Sequence, residues 1–173
     1  RALAVSPDDR YIVSGGEGHF HLAPELFLQV SGHTDFQFPN ARVRLGPSEA
    51  LLMPPRLLHA EHVGAAPGEH FCNIVVYAEG AALTSHLAFE AEPGRPGILH
   101  LEARRHPQAA RIHDWLGDAL HLGNGMAQES SSPWVSLQAR ALVAAATAGV
   151  LRALDDTESA AAPEPPLIAR MRE

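Results

Sequence analysis

The sequence predicts a mainly β domain followed by C-terminal helices. Between residues 11 and 77, short apolar runs alternate with Gly, Pro and Asn turn signals, which is typical of an all-β sandwich or barrel. From about Pro107, apolar residues recur at helical spacing instead. Beyond residue 156 the chain is acidic, rich in proline and without apolar periodicity, which indicates a linker.

Composition limits the class of protein. The 173 residues suffice for one domain with an appended helical segment, and 46% hydrophobic with 19% charged residues is ordinary for a soluble protein. We find no apolar run as long as a membrane span and no signal-type N-terminus, so we expect a cytoplasmic protein without membrane contact. The single cysteine, Cys72, excludes an internal disulfide and is expected in the core.

The charge balance argues against nucleic-acid binding by this chain. The formal net charge is −7, and all 13 basic residues are arginine. Binding to nucleic acid depends on clustered cations that displace counterions from phosphates. The densest group of basic residues is the pair Arg104 and Arg105, which we expect to be the solvated start of a helix.

The β region divides into short predicted strands. In chain order they are YIVSG, HFHL, ELFLQVSG, DFQF, ARVRL, EALLMP, HAEHV and HFCNIVVYA. DFQF and ARVRL alternate as half-buried strands do, and the continuous apolar run VVYA predicts a central strand.

Two helices follow in the prediction. The first begins near Pro107, which suits a first helical turn, and presents one apolar stripe made of Ile112, Trp115, Leu116, Ala119 and Leu120. GNGMAQESSSP then predicts a mobile loop. A second, alanine-rich helix is expected from about residue 134 to 154, with an apolar face made of Leu142, Val143, Val150, Leu151 and Leu154. Its small residues Ala139, Ala146 and Gly149 favour close contact with another helix, in this chain or in a second subunit.

A cluster of metal-ligating residue types lies near the start of the β region. His19, His21 and Glu25 have odd positions, so on one extended strand their side chains would share a face. His59 lies farther along, after another predicted strand. Imidazoles and a carboxylate together are ligands for borderline divalent metals such as Zn, Ni, Fe or Mn.

The spacing of these residues resembles the two motifs of the cupin superfamily. His-x-His-x3-Glu-x6-Gly runs from His19 to Gly32, and Pro-x-x-x-x-His ends at His59. In the second motif Arg56 stands where the family has its turn glycine, and Val63 where it has its closing asparagine. The resemblance implies a cupin-like double-stranded β-helix, or jelly roll, over residues 1–103. It also implies a divalent metal held by His19, His21, Glu25 and His59.

The order of strands, two helices and linker is similar to the sensor half of AraC-type transcriptional regulators. PELFLQVSG, LLMPPRLLHA and PPLIARMRE carry this resemblance. It implies a small-molecule effector in the barrel and a homodimer formed through helices in residues 104–156. Residues 157–173 would then be a linker and the start of a DNA-binding domain, so this protein would contact DNA only through that absent domain.

Further residues are predicted around the effector pocket. Four residues have the strand parity of side chains that would line or flank the pocket: Phe27, Gln29, Phe36 and Phe38. The alternative is that they fill the core. Arg56 is placed at the pocket mouth, where it would favour an anionic effector. His62 has the opposite parity to His59 and is an outer-shell candidate. The other histidines show no metal spacing and are predicted to be surface or structural: His70, His86, His100, His106, His113 and His121.

Two questions remain open from the sequence. The histidine cluster either binds a metal or is a polar cluster that is hydrogen-bonded internally or to an organic effector. The chain is either a regulator's sensor domain or a metal-dependent cupin enzyme of the dioxygenase or isomerase type, with a metal carrier as a third possibility. The four ligands favour the enzyme, whereas the acidic linker and the start of another helix favour the regulator.

Overall fold

A computed structural model describes residues 10–13, 18–92, 95–126 and 132–160. Within these ranges, strands precede two helices. The strands are β1 (Arg10–Val13), β2 (Glu25–Ser31), β3 (His33–Phe38), β4 (Ala41–Leu45), β5 (Ala50–Met53), β6 (Ala60–Ala65), β7 (Cys72–Glu79), β8 (Ala82–Glu92) and β9 (Arg95–Arg105). The helices are α1 (Ala109–Met126) and α2 (Pro133–Ala160).

The strands form two antiparallel sheets. A four-stranded sheet has the order β1-β6-β3-β4, and a five-stranded sheet has the order β5-β2-β7-β8-β9. Strands far apart in sequence are therefore neighbours, as in the pairs β3–β6 and β2–β7. Two antiparallel sheets with such connections define a cupin-like jelly roll, and with the two C-terminal helices they confirm the predicted fold class.

Strand β2 has a buried residue on both of its faces because the five-stranded sheet is covered on both sides. Phe27 packs between the sheets with Phe36 and Met53. Leu26 and Leu28 point the other way and pack beneath the helices. That second cluster also contains Val76, Ala78, Ile112, Leu116, Ala146 and Val150.

The helices pack on each other within this chain. Ile112, Leu116 and Ala119 of α1 are buried as their spacing predicted. Ala146 is fully buried, and a Cβ atom at Gly149 would lie 3.1 Å from Cγ1 of Ile112. These two small residues of α2 therefore permit close approach to α1. Leu151, predicted on the apolar face of α2, is 48% exposed.

Several predicted boundaries are wrong. HFHL is not a regular strand: His19 forms only an isolated bridge, with His59. The β8–β9 hairpin is missing from the predicted strands, and Arg104 and Arg105 end β9 rather than start a helix. Helix α1 continues through GNGM to Met126, although each glycine in a helix costs about 1 kcal/mol relative to alanine. Helix α2 continues to Ala160, so residues 157–160 are helical, whereas the rest of the predicted linker lies outside the described residues.

Helix α2 also corrects the statement that no apolar run is long enough to span a membrane. Its 23-residue segment Pro133–Asp155 contains an 18-residue window with a mean hydropathy of 1.3, which meets a length and composition test. One such helix is weak evidence for a membrane span, because packed helices of soluble domains meet the same test. Here Ala146 and Val150 of this segment are buried in the helix–sheet core.

Candidate metal centre

Backbone hydrogen bonds bring the two motif segments together. The His19 N–H donates to the His59 carbonyl at 2.7 Å, and the His59 N–H donates back to the His19 carbonyl at 2.9 Å. The Arg56 N–H donates to the His21 carbonyl at 2.7 Å. Residues 18–21 therefore lie alongside residues 56–59, which brings histidines from both motifs to one place.

The four predicted ligands converge. The ring centroids of His19 and His59 are 4.5 Å apart, and those of His19 and His21 are 4.9 Å apart. Oε2 of Glu25 lies 3.3 Å from Nε2 of His21 and 3.7 Å from Nε2 of His59. The structure thus brings the four predicted ligands together.

The backbone brings these side chains together in a different way from the one predicted. His19, His21 and Glu25 do not share one regular strand, because the chain bends at residues 22 and 23 and β2 begins only at Glu25. Pro24 has no N–H to donate to a strand ladder. The bend and the bridge to His59, rather than strand parity alone, aim these side chains at one point.

The structure adds residues that the motifs did not indicate. Oε1 of Glu61 lies 3.5 Å from Nε2 of His59. The Tyr77 hydroxyl lies 3.1 Å from Nε2 of His21, and Tyr77 faces Glu25 in the β2–β7 pairing. His86, predicted to be surface or structural, has its ring edge-on to Tyr77 at 5.6 Å. Glu61 shares parity with His59, which is a signal that the sequence did offer.

Two buried acceptors face each other in the centre. Glu25 and His59 are each 2% exposed. Nδ1 of His59 donates to the Leu57 carbonyl at 2.9 Å, so in neutral His59 a lone pair on Nε2 points toward two carboxylates. Within the described residues, neither this Nε2 nor Oε2 of Glu25 has a hydrogen-bond partner. Buried polar atoms without a partner are costly, so a proton or a cation placed between them would stabilise the folded state.

The pKa values follow from this crowding. Burial, followed by the charge of Glu61, raises the pKa of the Glu25 carboxyl to about 7. Burial lowers the pKa of His59, but the nearby Glu61 carboxylate, the hydrogen bond to the Leu57 carbonyl and the charge of Glu25 outweigh it, and the net pKa is raised. Burial and the neighbouring His19 lower the pKa of His21, which keeps its ring neutral and able to coordinate.

These donors fit a divalent metal ion. The ligand nitrogens of His19, His21 and His59 all lie within 4.8 Å of one another. Imidazole nitrogens and carboxylate oxygens are suitable donors for Zn, Ni, Fe and Mn. A cation would satisfy both atoms that lack a hydrogen-bond partner and would reduce the repulsion between the Glu25 and Glu61 carboxylates.

The predicted pocket residues have different places in the structure. The rings of Phe36 and Phe38 each lie 6.2 Å from the His59 ring, and Phe27 contacts Phe36 edge-on at 4.8 Å. The Phe36 and Phe38 rings therefore form an apolar wall beside His59. Gln29 is bound internally: its Oε1 accepts from Thr34 and its Nε2 donates to the Ser31 carbonyl. Its amide thus serves the fold rather than a ligand.

Arg56 lies at the edge of the centre, and His62 lies outside it. Arg56 is exposed, and its backbone has φ of 65°, a left-handed value that explains why a glycine suits this position in the motif. His62 pairs with Asp35 across β3–β6, and strand alternation places it on the sheet face opposite Glu61. The outer-shell role predicted for His62 is not supported, because β6 is regular at this position.

A groove of about 640 Å³ lies elsewhere, between β5 and the two helices. Most of its lining is apolar, including Leu52, Leu120, Val143 and Leu151, with Arg140 among the polar lining groups. It lies on the helix-covered side of the five-stranded sheet, away from the histidine cluster. The chemistry of the ligand types therefore places the candidate site in the barrel, and the groove is a separate feature.

Comparison with solved structures finds partial likenesses. A cupin-2 domain protein from Shewanella frigidimarina is 25% identical, with 43% of this chain and 74% of that chain covered and a TM-score of 0.26. A protein assigned as a sugar phosphate isomerase from Acidithiobacillus ferrooxidans is 13% identical, with 52% and 62% covered and a TM-score of 0.28. No protein-family model matches the chain, and no curated protein matches its sequence. The cupin-like fold class rests on the strand order and pairing described above.

Proposed function

We propose that this chain is the effector-sensing and dimerisation domain of an AraC-type transcriptional regulator. A divalent metal held by His19, His21, Glu25 and His59 would form part of the effector site. The observation that carries the proposal is that the two faces of strand β2 contact different parts of the protein. Glu25 faces the histidine cluster, while Leu26 and Leu28 pack under α1 and α2.

This arrangement offers a short path from the site to the helices. Strand β7 has the same arrangement as β2: Tyr77 lies at the site, and Val76 and Ala78 lie in the core beneath the helices. A ligand that moves β2 or β7 must therefore also change helix packing, because tightly packed cores transmit small displacements. Regulation requires that the effector bind the two arrangements with different affinity.

The surroundings favour a small, anionic effector that coordinates metal. A bound metal attracts carboxylate or hydroxyl oxygens, and the Phe36 and Phe38 rings supply an apolar wall beside His59. Arg56, exposed and bonded through its backbone to His21, adds a positive charge next to the cluster. We therefore expect small carboxylic or hydroxylated acids to bind better than neutral compounds.

The homodimer is proposed to form through α2. Three large apolar side chains on this helix are strongly exposed: Trp134 (76%), Leu137 (57%) and Leu151 (48%). Leu137 and Leu151 share the helix face opposite buried Ala146, because fourteen residues bring a helix back to nearly the same side. We call these three residues the outer stripe. Its size and position favour contact with a second copy of the chain.

A metal-dependent cupin enzyme is the second candidate. The observation that favours it is the Tyr77 hydroxyl at 3.1 Å from His21, a group able to hold or orient a substrate oxygen beside the cluster. A bound divalent metal supplies Lewis-acid polarisation of a substrate. Burial and nearby carboxylates raise the pKa of Tyr77, so its hydroxyl keeps its proton and serves as a donor.

The first experiment measures the metal content of protein purified without a histidine tag, using inductively coupled plasma mass spectrometry. The matched variants are His59→Ala in the cluster and His62→Ala on the opposite sheet face. We expect near-stoichiometric metal in the wild type and in His62→Ala, and its loss in His59→Ala. Equal metal content in all three proteins, or none in any, would contradict the metal centre.

A second experiment separates the regulator from the enzyme. The metal-loaded protein is screened by thermal shift against small carboxylic and hydroxylated acids, and each hit is then incubated and analysed by mass spectrometry. Binding that raises Tm and leaves the compound intact supports the sensor. Conversion of a bound compound with turnover supports the enzyme and contradicts the sensor.

A further inference from the structure

The donors at the centre form two overlapping sets rather than one. The ligand atoms of His19, His21 and His59 lie within 4.8 Å of one another, and so do those of Glu25, His59 and Glu61. His59 belongs to both sets. The cluster thus contains a second carboxylate that neither sequence motif includes.

The position of Glu61 follows from the chain. It lies two residues after His59, so on extended backbone both side chains point to the same face. In the β3–β6 pairing it stands opposite Phe36, whose ring is 6.2 Å from His59. Its side chain is 18% exposed, and its Oε1 lies 3.5 Å from Nε2 of His59. The carboxylate is therefore aimed at the interior of the barrel.

A second observation points to a ligand at this place. Nε2 of His59 and Oε2 of Glu25 belong to side chains only 2% exposed and have no hydrogen-bond partner within the described residues. The nitrogen faces carboxylates on two sides, from Glu25 at 3.7 Å and from Glu61 at 3.5 Å. A cation between them would coordinate the nitrogen and both carboxylates.

We infer that Glu61 is a fifth ligand of the metal and that its carboxylate shifts the preference of the site from Zn²⁺ toward an ion of higher coordination number such as Mn²⁺. The inference rests on the proposed metal centre and adds a ligand to it. Two ligand atoms that share an ion at about 2.1 Å lie at most about 4.2 Å apart, and the Glu25 and Glu61 oxygens both lie within that distance of Nε2 of His59. Five donors would leave one position for an exogenous ligand, whereas Zn²⁺ in proteins is most often tetrahedral.

The test compares affinities for two ions in three proteins. Mn²⁺ and Zn²⁺ are titrated separately, in competition with a chromophoric chelator, into wild type, Glu61→Gln and Glu79→Gln. Glutamine keeps the shape of Glu61 and removes its charge, and Glu79 is an exposed glutamate in β7, away from the centre. We expect Glu61→Gln to raise the Kd for Mn²⁺ by at least roughly tenfold and to change the Kd for Zn²⁺ much less. Glu79→Gln should match wild type for both ions.

The other outcomes are distinct. Equal changes for both ions, or no change, would overturn the role of Glu61 and leave the four-ligand centre standing. No binding of either ion by wild type would overturn both proposals. Cobalt(II) provides a readout of coordination, because six-coordinate cobalt absorbs visible light weakly and four-coordinate cobalt strongly. Stronger absorption in Glu61→Gln is expected; an unchanged spectrum would mean that Glu61 only orients His59, and would overturn its role as a ligand.

Discussion

At the scale of single residues, the centre is built from groups that are unstable together without a positive charge. Glu25 and Glu61 both face His59, and Glu25 is almost fully buried. Burial and the neighbouring carboxylate therefore favour the protonated form of Glu25. The same residues that suit a metal are thus a source of pH dependence when no metal is bound.

We predict that the metal-free protein loses stability as pH rises from about 4.5 toward 7. The pKa of Glu25 is raised from 4.5 to about 7 on folding, so the folded state binds more protons than the unfolded state in this window. The expected loss from this group is on the order of 3 kcal/mol. Urea denaturation at pH 5 and pH 7.5 in the presence of a chelator measures it.

The control for this prediction is Glu25→Gln, which has no carboxyl to titrate. Its free energy of unfolding should vary with pH less steeply than that of wild type, in the direction of greater relative stability at pH 7.5. His21 and His59 also titrate in this region, so the difference between the two proteins is the quantity to compare. The same slope in both proteins would contradict a raised pKa at Glu25.

Residue identities also explain which motif positions can vary. Gly32 has φ of 68°, and a Cβ atom there would lie 2.6 Å from the Gly64 carbonyl oxygen, so only glycine fits. Arg56 has a similar φ of 65° but is exposed. At exposed Arg56 the left-handed backbone costs only about 1–2 kcal/mol. The first motif therefore retains its glycine, while the second tolerates an arginine.

At the scale of elements, the helix pair is held to the sheet by one buried stripe. Leu116 of α1 is fully buried against Leu26, Val76 and Ala146 in the helix–sheet core. Because it sits among well-packed neighbours, its removal leaves a cavity that the surroundings fill only in part. This stripe, more than the ends of either helix, fixes α1 on β2 and β7.

We predict that Leu116→Ala lowers the free energy of unfolding by about 2–5 kcal/mol. Asp118→Ala, an exposed change on the same helix, should alter it by less than about 0.5 kcal/mol. Chemical denaturation of both variants measures the difference. Similar stabilities for the two variants would mean that α1 does not depend on this core.

Elements with a strong periodic pattern were predictable, and those shaped by distant contacts were not. β4 was predicted to the residue, and the buried stripe of α1 followed from its spacing. β8 and β9 were missed because Ala, Gly and Pro weaken their strand pattern, and pairing with β7 stabilises them instead. At the site, the ligand types identified four residues, but Tyr77 joins them only through the β2–β7 register.

At the scale of the whole molecule, α2 is apolar on two sides. One side packs on α1 and the sheet, and the outer stripe of Trp134, Leu137 and Leu151 faces solvent in the single chain. Exposed apolar surface of this kind on a folded domain favours association. The groove beside it, which includes Leu151, continues the apolar surface toward β5.

We predict a dimer in solution that the double variant Leu137→Glu, Leu151→Glu converts to a monomer. Two charges on the outer stripe would have to lose water in any interface formed there, which is costly. Light scattering at micromolar concentration measures the mass. Asp118→Ala, an exposed change on α1, should remain dimeric; a monomeric wild type would contradict the prediction.

The bridge between His19 and His59 also determines how the two halves of the centre depend on each other. Residues 18–21 belong to no regular strand and are held by reciprocal backbone hydrogen bonds to a segment far along the chain. A ligand bound to side chains of residues 18–21 and of residues 56–59 would act as a reversible crosslink. It would close a long chain loop, as a disulfide does. Ligand binding and docking of residues 18–21 on the barrel would then be coupled. A change that detaches this segment would therefore also release the ligand.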